Sequence, residues 1–517
     1  MNNKVLVEVL DTTLRDGEQT SGVAFSASEK LSIARKLLEQ VKVDRLEIAS
    51  ARVSEGEFKC VSEVCQWAMN ANRLEHIEVL GFCDNGASIE WIKRAGGKVI
   101  NLLTKGSEKH CRGQLGKTPE EHWQNVRENV VMANKAGLKV NLYLEDWSNG
   151  MLNSPEYVMG MLDTLQDMGD KSNREGQVMR FMLPDTLGIL SPRQTKEMIS
   201  VMVERYPQLH FDFHAHNDYD LAVANVLAAV EAGAKGVHTT INGLGERAGN
   251  ASLSSVVAVL NDMLPHVELA VEEKSINTIS RLVESYSGIA TASNTPIVGE
   301  NVFTQTAGVH ADGDKKGKLY VNPLLPERFG RSREYALGKM SGKANIEQNL
   351  KQLGIHLNDE DMRRVTKRIN EMGDKKEHVT IDDLPYIIAD VLHHDSPLER
   401  IKLVSYMVST AYGLHPQACV KLEINGQEYE ESATGDGMYD AFVRAVRHIY
   451  RNKLERTFPW LTNYVVTIPP GGRTDALVQT TISWEYNGKN YRTRGLDADQ
   501  TEAAIKATIK MLNLIEE

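Results

Sequence analysis

Two histidines one residue apart, His214 and His216, close a stretch that reads HFDFHAHND. The alternating apolar residues predict a β-strand, in which every second side chain points to the same face. The two imidazoles would therefore share a face with His210 and Asp212, and closely spaced imidazoles are typical metal ligands. The alternative is that both are ordinary polar residues at a strand end, and this motif alone leaves the choice open.

Three more polar clusters follow strand-like apolar runs in the first half of the chain. They comprise Asp11, Arg15, Asp16, Glu18 and Gln19 in LDTTLRDGEQ, Tyr143, Glu145 and Asp146 in YLEDWSNG, and Glu246, Arg247 and Asn250 in NGLGERAGN. Carboxylates, imidazoles and amide oxygens form mixed nitrogen and oxygen ligand sets, which suit Mn, Zn, Fe, Co or Mg. Whether the clusters form one site depends on the elements that carry them.

Eight apolar runs alternate with amphipathic segments over roughly the first half of the sequence. The runs span residues 5–10, 44–49, 77–82, 98–104, 139–145, 178–183, 209–216 and 236–241. The segment after the first run opens with Ser26 three residues before Glu29, which is the signature of a helix capping box. Eight strand and helix pairs within about 250 residues predict a (β/α)8 barrel, or TIM barrel. A doubly wound open sheet is the alternative, disfavoured because no GxGxxG follows the first run.

The mouth of such a barrel is formed by the C-terminal ends of its strands, and strands one, seven and eight are neighbours there. Asp16, His214, His216 and Asn250 are therefore predicted to converge on one catalytic divalent metal ion, with positions left open for substrate. Beside them, Arg15 would stabilise charge that develops on a carbonyl oxygen, unless it only forms a salt bridge to a barrel carboxylate.

Two further features at the mouth allow more than one interpretation. Glu145 would act as a general base, or it would hold a metal ligand in place. Gly243, Gly245 and Gly249 would let backbone N–H groups approach a phosphate or a substrate, or they would only turn the chain from strand to helix.

The pattern changes after the eighth run, and four segments are predicted. They are the barrel at 1–270, a Gly-rich linker at 271–345, a helical subdomain at 346–398 and an α+β domain at 399–517. The last segment holds an internal repeat of strand, Asn-Gly turn, strand, loop and helix. Its turns, Asn425-Gly426 and Asn487-Gly488, predict two-residue β-hairpins. Such a module binds a small ligand or joins subunits.

The composition excludes several classes of function. A net charge of −11 over 517 residues, without a basic stripe, argues against nucleic acid or an anionic membrane as a partner. The apolar runs are shorter than a membrane span, and the N-terminus has no signal-peptide pattern. Five cysteines without a CxxC pair indicate reduced thiols, so a cytoplasmic protein is expected.

The chain resembles the family of 2-isopropylmalate, homocitrate and citramalate synthases in four motifs, DTTLRDGEQ (11–19), HAHND (214–218), NGLGERAGN (242–250) and TAGVHADG (306–313). The resemblance extends over nearly the whole chain, and the C-terminal repeat resembles the family's allosteric dimer domain. It implies a homodimer that condenses acetyl-CoA with a 2-keto acid in a Claisen reaction and then hydrolyses the thioester. It also implies that an end-product amino acid binds the C-terminal domain.

The resemblance assigns roles to the residues that match these motifs. Asp16, His214 and His216 would bind the metal, which would be Mn, Zn or Mg, and Asn250 would complete or adjoin its coordination sphere. Arg15 would stabilise the keto oxygen as it becomes an alkoxide.

The resemblance also implies that the linker subdomain at 271–345 reaches the active site, so that residues from distant parts of the sequence serve the acetyl-CoA side of the reaction. Glu145 would help to remove the acetyl methyl proton, and His310 would assist hydrolysis or position acetyl-CoA. Asn250, Asp312 and Tyr320 would line the acetyl-CoA site.

The keto acid is predicted from the residues that would line its pocket. Tyr143 in YLEDW stands where leucine-pathway members of the family carry a small residue, in a segment resembling FSxEDA. Together with Leu80 and Leu103, it would leave room for the methyl group of pyruvate, and Thr186 would hold the substrate carboxylate. Isoleucine is then the expected ligand of the C-terminal domain. The alternative is 2-ketoisovalerate as substrate with leucine as the ligand.

Two rival classes of function use parts of the same pattern. A metal-dependent acyl-CoA lyase would have a similar mouth, but it would lack the C-terminal repeat. A non-catalytic amino-acid sensor would keep the C-terminal domain and lose mouth residues, all of which this chain retains.

Overall fold

A computed structural model describes residues 4–166, 176–305, 319, 321–337, 341–353, 355–374, 379, 384–392, 400–467 and 478–516. The chain divides into two compact units. The first holds the described residues up to Thr304 together with Val321–Arg333, and the second holds Gln305, Leu319 and those from Glu334 onwards.

Eight parallel strands of the first unit close into a barrel in sequence order. These strands are β1 (Glu8–Asp11), β2 (Arg45–Ser50), β3 (Ile77–Phe82), β4 (Val99–Lys105), β5 (Lys139–Glu145), β6 (Val178–Asp185), β7 (Phe211–Ala215) and β8 (Gly236–Thr239). Pairing of β1 with β8, from Glu8 beside Gly236 to Asp11 beside Thr239, closes the ring. The predicted TIM barrel is therefore confirmed, and the open sheet is wrong.

The first predicted run differs from the structure because it is split between two pairings. Val5–Leu6 pairs in parallel with Val267–Glu268 outside the barrel, and the barrel strand begins only at Glu8. Val5 and Leu6 are about half exposed. One continuous apolar run therefore contributes a strand to each of two sheets, and its periodicity does not show where the run divides.

Helices surround the strands and bury an apolar layer between themselves and the barrel wall. In the first unit the α-helices are α1 (Ala27–Lys36), α2 (Glu55–Asn70), α3 (Ala87–Arg94), α4 (Glu108–Leu115), α5 (Pro119–Lys135), α6 (Trp147–Asn153), α7 (Pro155–Gln166), α8 (Pro192–Arg205), α9 (Ala222–Glu231), α10 (Leu253–Met263) and α11 (Ile276–Ser287). The predicted capping box is present at α1, where Ser26 and Glu29 each accept from the other's backbone N–H.

Ion pairs fill the lumen of the barrel at the end where the strands begin. Arg45 is 4% exposed and contacts carboxylates of Glu8, Glu78 and Asp212. Arg180 forms a two-pronged ion pair with Glu8. Buried charges are tolerated when each is paired, so these residues form a charged floor beneath the mouth.

The second unit begins with three helices, α12 (Lys343–Gln352), α13 (Asp359–Asp374) and α14 (Leu384–Leu392), which share an apolar core. Two three-stranded antiparallel sheets follow, each with one helix packed against it. The first consists of β9 (Ile401–Ser409), β10 (Gln417–Ile424), β11 (Gln427–Thr434) and α15 (Met438–His448). The second consists of β12 (Trp460–Thr467), β13 (Val478–Tyr486), β14 (Lys489–Asp497) and α16 (Gln500–Ile515).

The internal repeat is therefore a βββα unit, one strand longer than the sequence pattern indicated. Both Asn-Gly turns have positive φ at each residue, 52° and 82° in the first and 50° and 73° in the second, as two-residue hairpins require. The additional strands, β9 and β12, lie at the sheet edges, and apolar residues on them such as Met407 and Trp460 are more than half exposed.

The described part of the chain contains neither a membrane-spanning helix nor a disulfide bond. Among those residues, no helix combines the length and the apolar content needed to cross a bilayer. All five cysteines fall within the described residues and are free thiols.

Candidate active site

Three side chains from the C-terminal end of β7, the residue directly after it and the loop after β1 converge at the barrel mouth. They form the ligand cluster, which consists of Asp16, His214 and His216. Nε2 of His214 lies 3.3 Å from Oδ2 of Asp16 and 3.3 Å from Nε2 of His216. Nε2 of His216 lies 3.9 Å from the same carboxylate oxygen. All three residues are less than 8% exposed, so one nitrogen from each ring and one oxygen face a common buried point.

The ligand cluster fits a divalent metal ion. Ligand atoms that each lie about 2.1 Å from one ion are about 3.0–3.4 Å apart in octahedral or tetrahedral geometry, close to the observed separations. One buried polar atom beside the cluster, Oδ1 of Asn250, has no hydrogen-bond partner among the described residues. A carboxylate, two imidazoles and an amide oxygen form a donor set that suits Mn, Zn or Mg.

The electrostatics of the cluster also favour a cation. Burial would raise the pKa of Asp16, but Arg15 and His214 hold it well below its usual range. Burial lowers the pKa of both histidines, that of His216 to about 4. The site at neutral pH therefore holds one carboxylate and two neutral imidazoles, which is the protonation state that metal binding needs.

Asn250 joins the cluster through its amide nitrogen. Nδ2 donates to Oδ2 of Asp16 at 2.8 Å and to the carbonyl oxygen of Leu244 at 3.1 Å. Two acceptors around the same atom fix which end of the amide is nitrogen. Asn250 therefore orients Asp16, and its Oδ1 is left available for a further ligand.

Arg15 is fixed beside the cluster by two carboxylates. Its Nε donates to Oε2 of Glu47 at 2.7 Å, and its Nη1 donates to Oδ1 of Asp16 at 2.9 Å. Glu47 is fully buried and also accepts hydrogen bonds from Thr12 and Asn101. The salt bridges predicted as the alternative for Arg15 are therefore present, and they orient its guanidinium at the mouth. Its role in stabilising a carbonyl oxygen stays a prediction.

Glu47 and His238 are central to the site and were not predicted. His238 on β8 lies between Nδ1 of His214, at 3.3 Å, and the hydroxyl of Tyr143, at 3.1 Å. Both residues lie inside apolar runs at positions that face the lumen. A charged or titratable side chain on the inner face of a buried strand is the signal that would have identified them.

Tyr143, Leu80 and Leu103 are brought together in one small apolar cluster with Leu10 and Met182. The ring of Tyr143 is 2% exposed, and its centroid lies 6.1 Å from that of His214. The three residues predicted to line the keto acid pocket therefore form a common wall next to the ligand cluster.

Thr186 lies in the loop after β6, and two neighbours orient it. Its Oγ1 accepts a hydrogen bond of 2.9 Å from the backbone N–H of Asp146, and its carbonyl oxygen accepts from Arg247. Arg247 also forms a two-pronged ion pair with Asp218, which links the loops after β6, β7 and β8. Oγ1 of Thr186 is the acceptor in its hydrogen bond with Asp146, so its hydroxyl hydrogen remains available for a hydrogen bond to another group.

Glu145 ends β5 two residues after Tyr143, so it faces the mouth on the same side of the strand. Its carboxylate forms an ion pair with Lys105, which occupies the paired position at the end of β4. The carboxylate is partly exposed, with a side-chain exposure of 27%. It is accessible from the mouth and held by a cation.

Other acids of the first motif serve the fold. Glu18 pairs with the buried Lys30 and accepts a hydrogen bond from the backbone N–H of Phe25. Asp11 is fully buried, with Oδ1 accepting from the N–H of Thr13 and Oδ2 without a partner among the described residues. Burial raises the pKa of Asp11 to about 7.

This raised pKa predicts a pH-dependent stability that Asp11→Asn removes. Between about pH 4 and pH 7 the folded chain keeps a proton that the unfolded chain has lost, so this contribution to stability falls as pH rises through that window. The stability of the variant relative to the native chain should therefore rise by up to about 4 kcal/mol from pH 4 to pH 8. Urea unfolding at both pH values measures this difference, and a constant difference would contradict the prediction.

Glycines shape the loop that carries Asn250. Gly249 has φ of 85°, and a Cβ there would lie 1.9 Å from the carbonyl oxygen of Gly243. A Cβ at Gly245 would lie 2.4 Å from Nδ2 of Asn250. The N–H groups of all three glycines donate within the protein, so the loop serves as a tight turn and does not present these amides to a phosphate.

Gly249→Ala is expected to destabilise the chain more than Gly22→Ala, its matched control. Gly22 has a similar φ of 84°, but a Cβ there would meet no atom within 4 Å. Both variants lose about 1–2 kcal/mol to backbone conformation, and the clash should cost Gly249→Ala at least about 1 kcal/mol more. Chemical denaturation of both variants checks this, and equal losses would show that the loop yields without strain.

Three predicted residues, His310, Asp312 and Tyr320, lie outside the described residues. Their roles in hydrolysis and in acetyl-CoA binding remain predictions.

Three family comparisons cover most of the chain. Residues 6–283 match the HMGL-like family, residues 297–377 match the homocitrate synthase post-HMGL domain-like family, and residues 378–516 match the LeuA allosteric (dimerisation) domain. The first match alone covers more than half of the sequence.

Relatives of similar length carry two kinds of name. A putative (R)-citramalate synthase of Archaeoglobus fulgidus is 33% identical over 98% of this chain and 99% of its own. The (R)-citramalate synthase of Methanocaldococcus jannaschii is 32% identical over 99% and 100%. A probable 2-isopropylmalate synthase of Methanopyrus kandleri is 36% identical over 98% of both chains.

The chain belongs to the HMGL-like family, and within it to the group of citramalate and 2-isopropylmalate synthases. The predicted resemblance is therefore confirmed, and so is the prediction of an enzyme of the acyltransferase type. These relatives support a condensation of acetyl-CoA with a 2-keto acid, and the dimerisation domain supports a homodimer.

Proposed function

We propose that the enzyme condenses acetyl-CoA with pyruvate, in a metal-dependent Claisen reaction followed by thioester hydrolysis, to give (R)-citramalate and CoA. The observation that carries the choice of pyruvate is the position of Tyr143. Its buried ring packs with Leu80 and Leu103 beside the ligand cluster. A wall of this kind leaves little space next to a bound keto acid beyond a methyl group.

The ligand cluster holds the metal in this proposal, with Asn250 as a further ligand through Oδ1. When bound, the ion polarises the keto carbonyl and fixes the keto acid at the mouth. Thr186 holds the substrate carboxylate through a hydrogen bond that its hydroxyl group donates. Arg15, whose guanidinium is oriented by Glu47 and Asp16, donates to the keto oxygen.

The condensation step forms one carbon–carbon bond. Glu145 accepts a proton from the methyl group of acetyl-CoA, and that carbon attacks the keto carbon of pyruvate. The electron pair of the carbonyl bond moves to the keto oxygen, where Arg15 stabilises the negative charge until the oxygen is protonated. Lys105 keeps Glu145 directed at the mouth through their ion pair.

Hydrolysis completes the reaction by cleaving the carbon–sulfur bond. Water adds to the thioester carbonyl, and CoA leaves as its thiol while the new acid is released. His310 assists this step or positions acetyl-CoA, and Asp312, Tyr320 and Asn250 line the acetyl-CoA site in our proposal.

The remaining assignments follow from the organisation of the chain. We propose the segments 1–270, 271–345, 346–398 and 399–517 as barrel, linker subdomain, helical subdomain and regulatory dimer domain. The last would bind isoleucine as an end product. A cytoplasmic location belongs to the same proposal, because free thiols suit a reducing compartment.

A second candidate is 2-isopropylmalate synthesis from 2-ketoisovalerate, with leucine as the end product. It is favoured by the Methanopyrus kandleri relative, whose identity of 36% exceeds that of the two citramalate synthases described above. The same groups would perform the chemistry, and only the side of the pocket that faces the keto acid substituent would differ.

Release of free thiol from acetyl-CoA tests both candidates in one assay. The native chain is supplied with Mn²⁺ or Mg²⁺ and with either pyruvate or 2-ketoisovalerate, and a chelator provides the metal-free control. Faster release with pyruvate supports the proposal, and faster release with 2-ketoisovalerate replaces it with the second candidate. No metal-dependent release with either acid would reject both and favour a lyase or a sensor.

A further inference from the structure

His214 can bind a metal through Nε2 only in one of its two neutral tautomers. A neutral imidazole carries a single proton, and the nitrogen that bears it has no lone pair to offer. Nε2 of His214 faces the ligand cluster, so the proton must reside on Nδ1. Oδ2 of Asp16, 3.3 Å from Nε2, attracts the proton to the wrong nitrogen. An acceptor at Nδ1 is therefore needed to oppose it.

Nδ1 of His214 lies 3.3 Å from Nδ1 of His238, which is 1% exposed. Two imidazole nitrogens in contact form a hydrogen bond only when one carries a proton and the other does not. The tautomer of His238 therefore decides the tautomer of His214.

The other nitrogen of His238 is directed at a carboxylate. Nε2 of His238 lies 3.2 Å from Oδ2 of Asp212, which is fully buried and forms an ion pair with Arg45. An ionised carboxylate only accepts hydrogen bonds. Nε2 of His238 must therefore carry the proton, and its Nδ1 is left as an acceptor.

Two competing arrangements are disfavoured by the surroundings. A doubly protonated His238 would force the proton of His214 onto Nε2, but His238 is 1% exposed and the carboxylate beside it, Asp212, is already paired with Arg45. In the second arrangement, the hydroxyl of Tyr143, which lies 3.1 Å from Nδ1 of His238, would donate to that atom in place of His214. It has another acceptor in Oε2 of Glu47 at 3.5 Å.

We propose that Asp212 and His238 are positioning residues for the metal site: anchored by Arg45, they place the proton of His214 on Nδ1 and leave Nε2 free to bind the ion. Neither residue belongs to the ligand cluster. The inference rests on the proposed function only in requiring that the ligand cluster binds a divalent metal, whichever keto acid is used.

The experiment measures Mn²⁺ affinity of the full-length chain by titration calorimetry, with three variants. His238→Leu removes the acceptor, His238→Gln keeps a donor and an acceptor, and His122→Leu is the matched control. His122 is also 1% exposed and hydrogen bonded, to the hydroxyl of Tyr157, but it does not contact the cluster.

His238→Leu is expected to bind Mn²⁺ about 10–100-fold more weakly, as is typical when a partner of a ligating histidine is lost. His238→Gln should recover most of the affinity, and His122→Leu should bind as the native chain does. A folded His238→Leu with native affinity overturns the inference while the proposed function stands. A native chain that binds no Mn²⁺ overturns both.

A second measurement determines the tautomer directly in the native chain, and the variants serve only to assign its signals. ¹⁵N spectra of histidine-labelled protein distinguish the two neutral tautomers and the doubly protonated ring, and loss of a signal in a His238 variant or in His122→Leu assigns the resonances. We expect His238 to be neutral with its proton on Nε2. A proton on Nδ1, alone or in a doubly protonated ring, overturns the inference.

Discussion

Asp16→Asn is expected to abolish metal-dependent thiol release, lowering kcat by at least about 1,000-fold, equivalent to about 4 kcal/mol of transition-state stabilisation. Asp16 is the anionic member of the ligand cluster, and the pKa of its carboxyl is held well below the usual range. The amide removes that charge and retains one acceptor oxygen, although Arg15 and Asn250 both donate to this side chain.

Asp11→Asn is the matched control for this experiment. It makes the same chemical change five residues earlier in the same motif, at a side chain that is equally buried but lies outside the ligand cluster. Mn²⁺ affinity and thiol release should both be lost in Asp16→Asn and kept in Asp11→Asn. Retention of native Mn²⁺ affinity by Asp16→Asn would remove Asp16 from the metal site.

Tyr143→Ser is expected to shift the preference of the enzyme from pyruvate towards 2-ketoisovalerate. The substitution opens the wall formed with Leu80 and Leu103, and two extra methyl groups in an apolar pocket are worth at least about 2 kcal/mol. The ratio of kcat/KM for the two acids should therefore change by at least about 30-fold. Loss of the buried ring also destabilises the fold, so thermal unfolding is measured alongside.

Tyr143→Phe separates the size of the side chain from its hydroxyl group. It keeps the ring and removes the contacts to His238, Glu47 and Arg15, so the preference for pyruvate should remain even if turnover falls. An unchanged ratio in a folded Tyr143→Ser would show that other residues set the specificity. A changed ratio in Tyr143→Phe would assign the effect to hydrogen bonding.

The barrel could be predicted from sequence because local patterns repeat eight times. The fifth predicted run coincides with β5, Lys139–Glu145, and the third with β3, Ile77–Phe82. Other boundaries depend on partners that are distant in sequence. Val5–Leu6 leaves the barrel because Val267–Glu268 is available to pair with it, and no local pattern carries that information.

The sequence predicted the site residues that close or follow an apolar run. It missed the site residues that lie inside such a run. Asp16 follows an apolar run and the two histidines close another, and the barrel fold brings such positions to one mouth. Glu47 and His238 sit inside apolar runs, where a polar residue has several possible partners. Their roles depend on tertiary distances, such as the 2.7 Å between Arg15 and Glu47.

The charged floor of the barrel limits how this enzyme can be engineered for heat tolerance. Replacing buried ion pairs by well-packed apolar residues often stabilises proteins by about 1–4 kcal/mol, so Arg45, Glu78 and Asp212 look like attractive targets for redesign. Asp212, however, also contacts His238, which contacts His214 of the ligand cluster. We expect apolar repacking of the charged floor to raise the melting temperature and, through the loss of Asp212, to lower the activity. Libraries that aim for durability should instead vary the apolar layer between strands and helices, which contains no member of the ligand cluster.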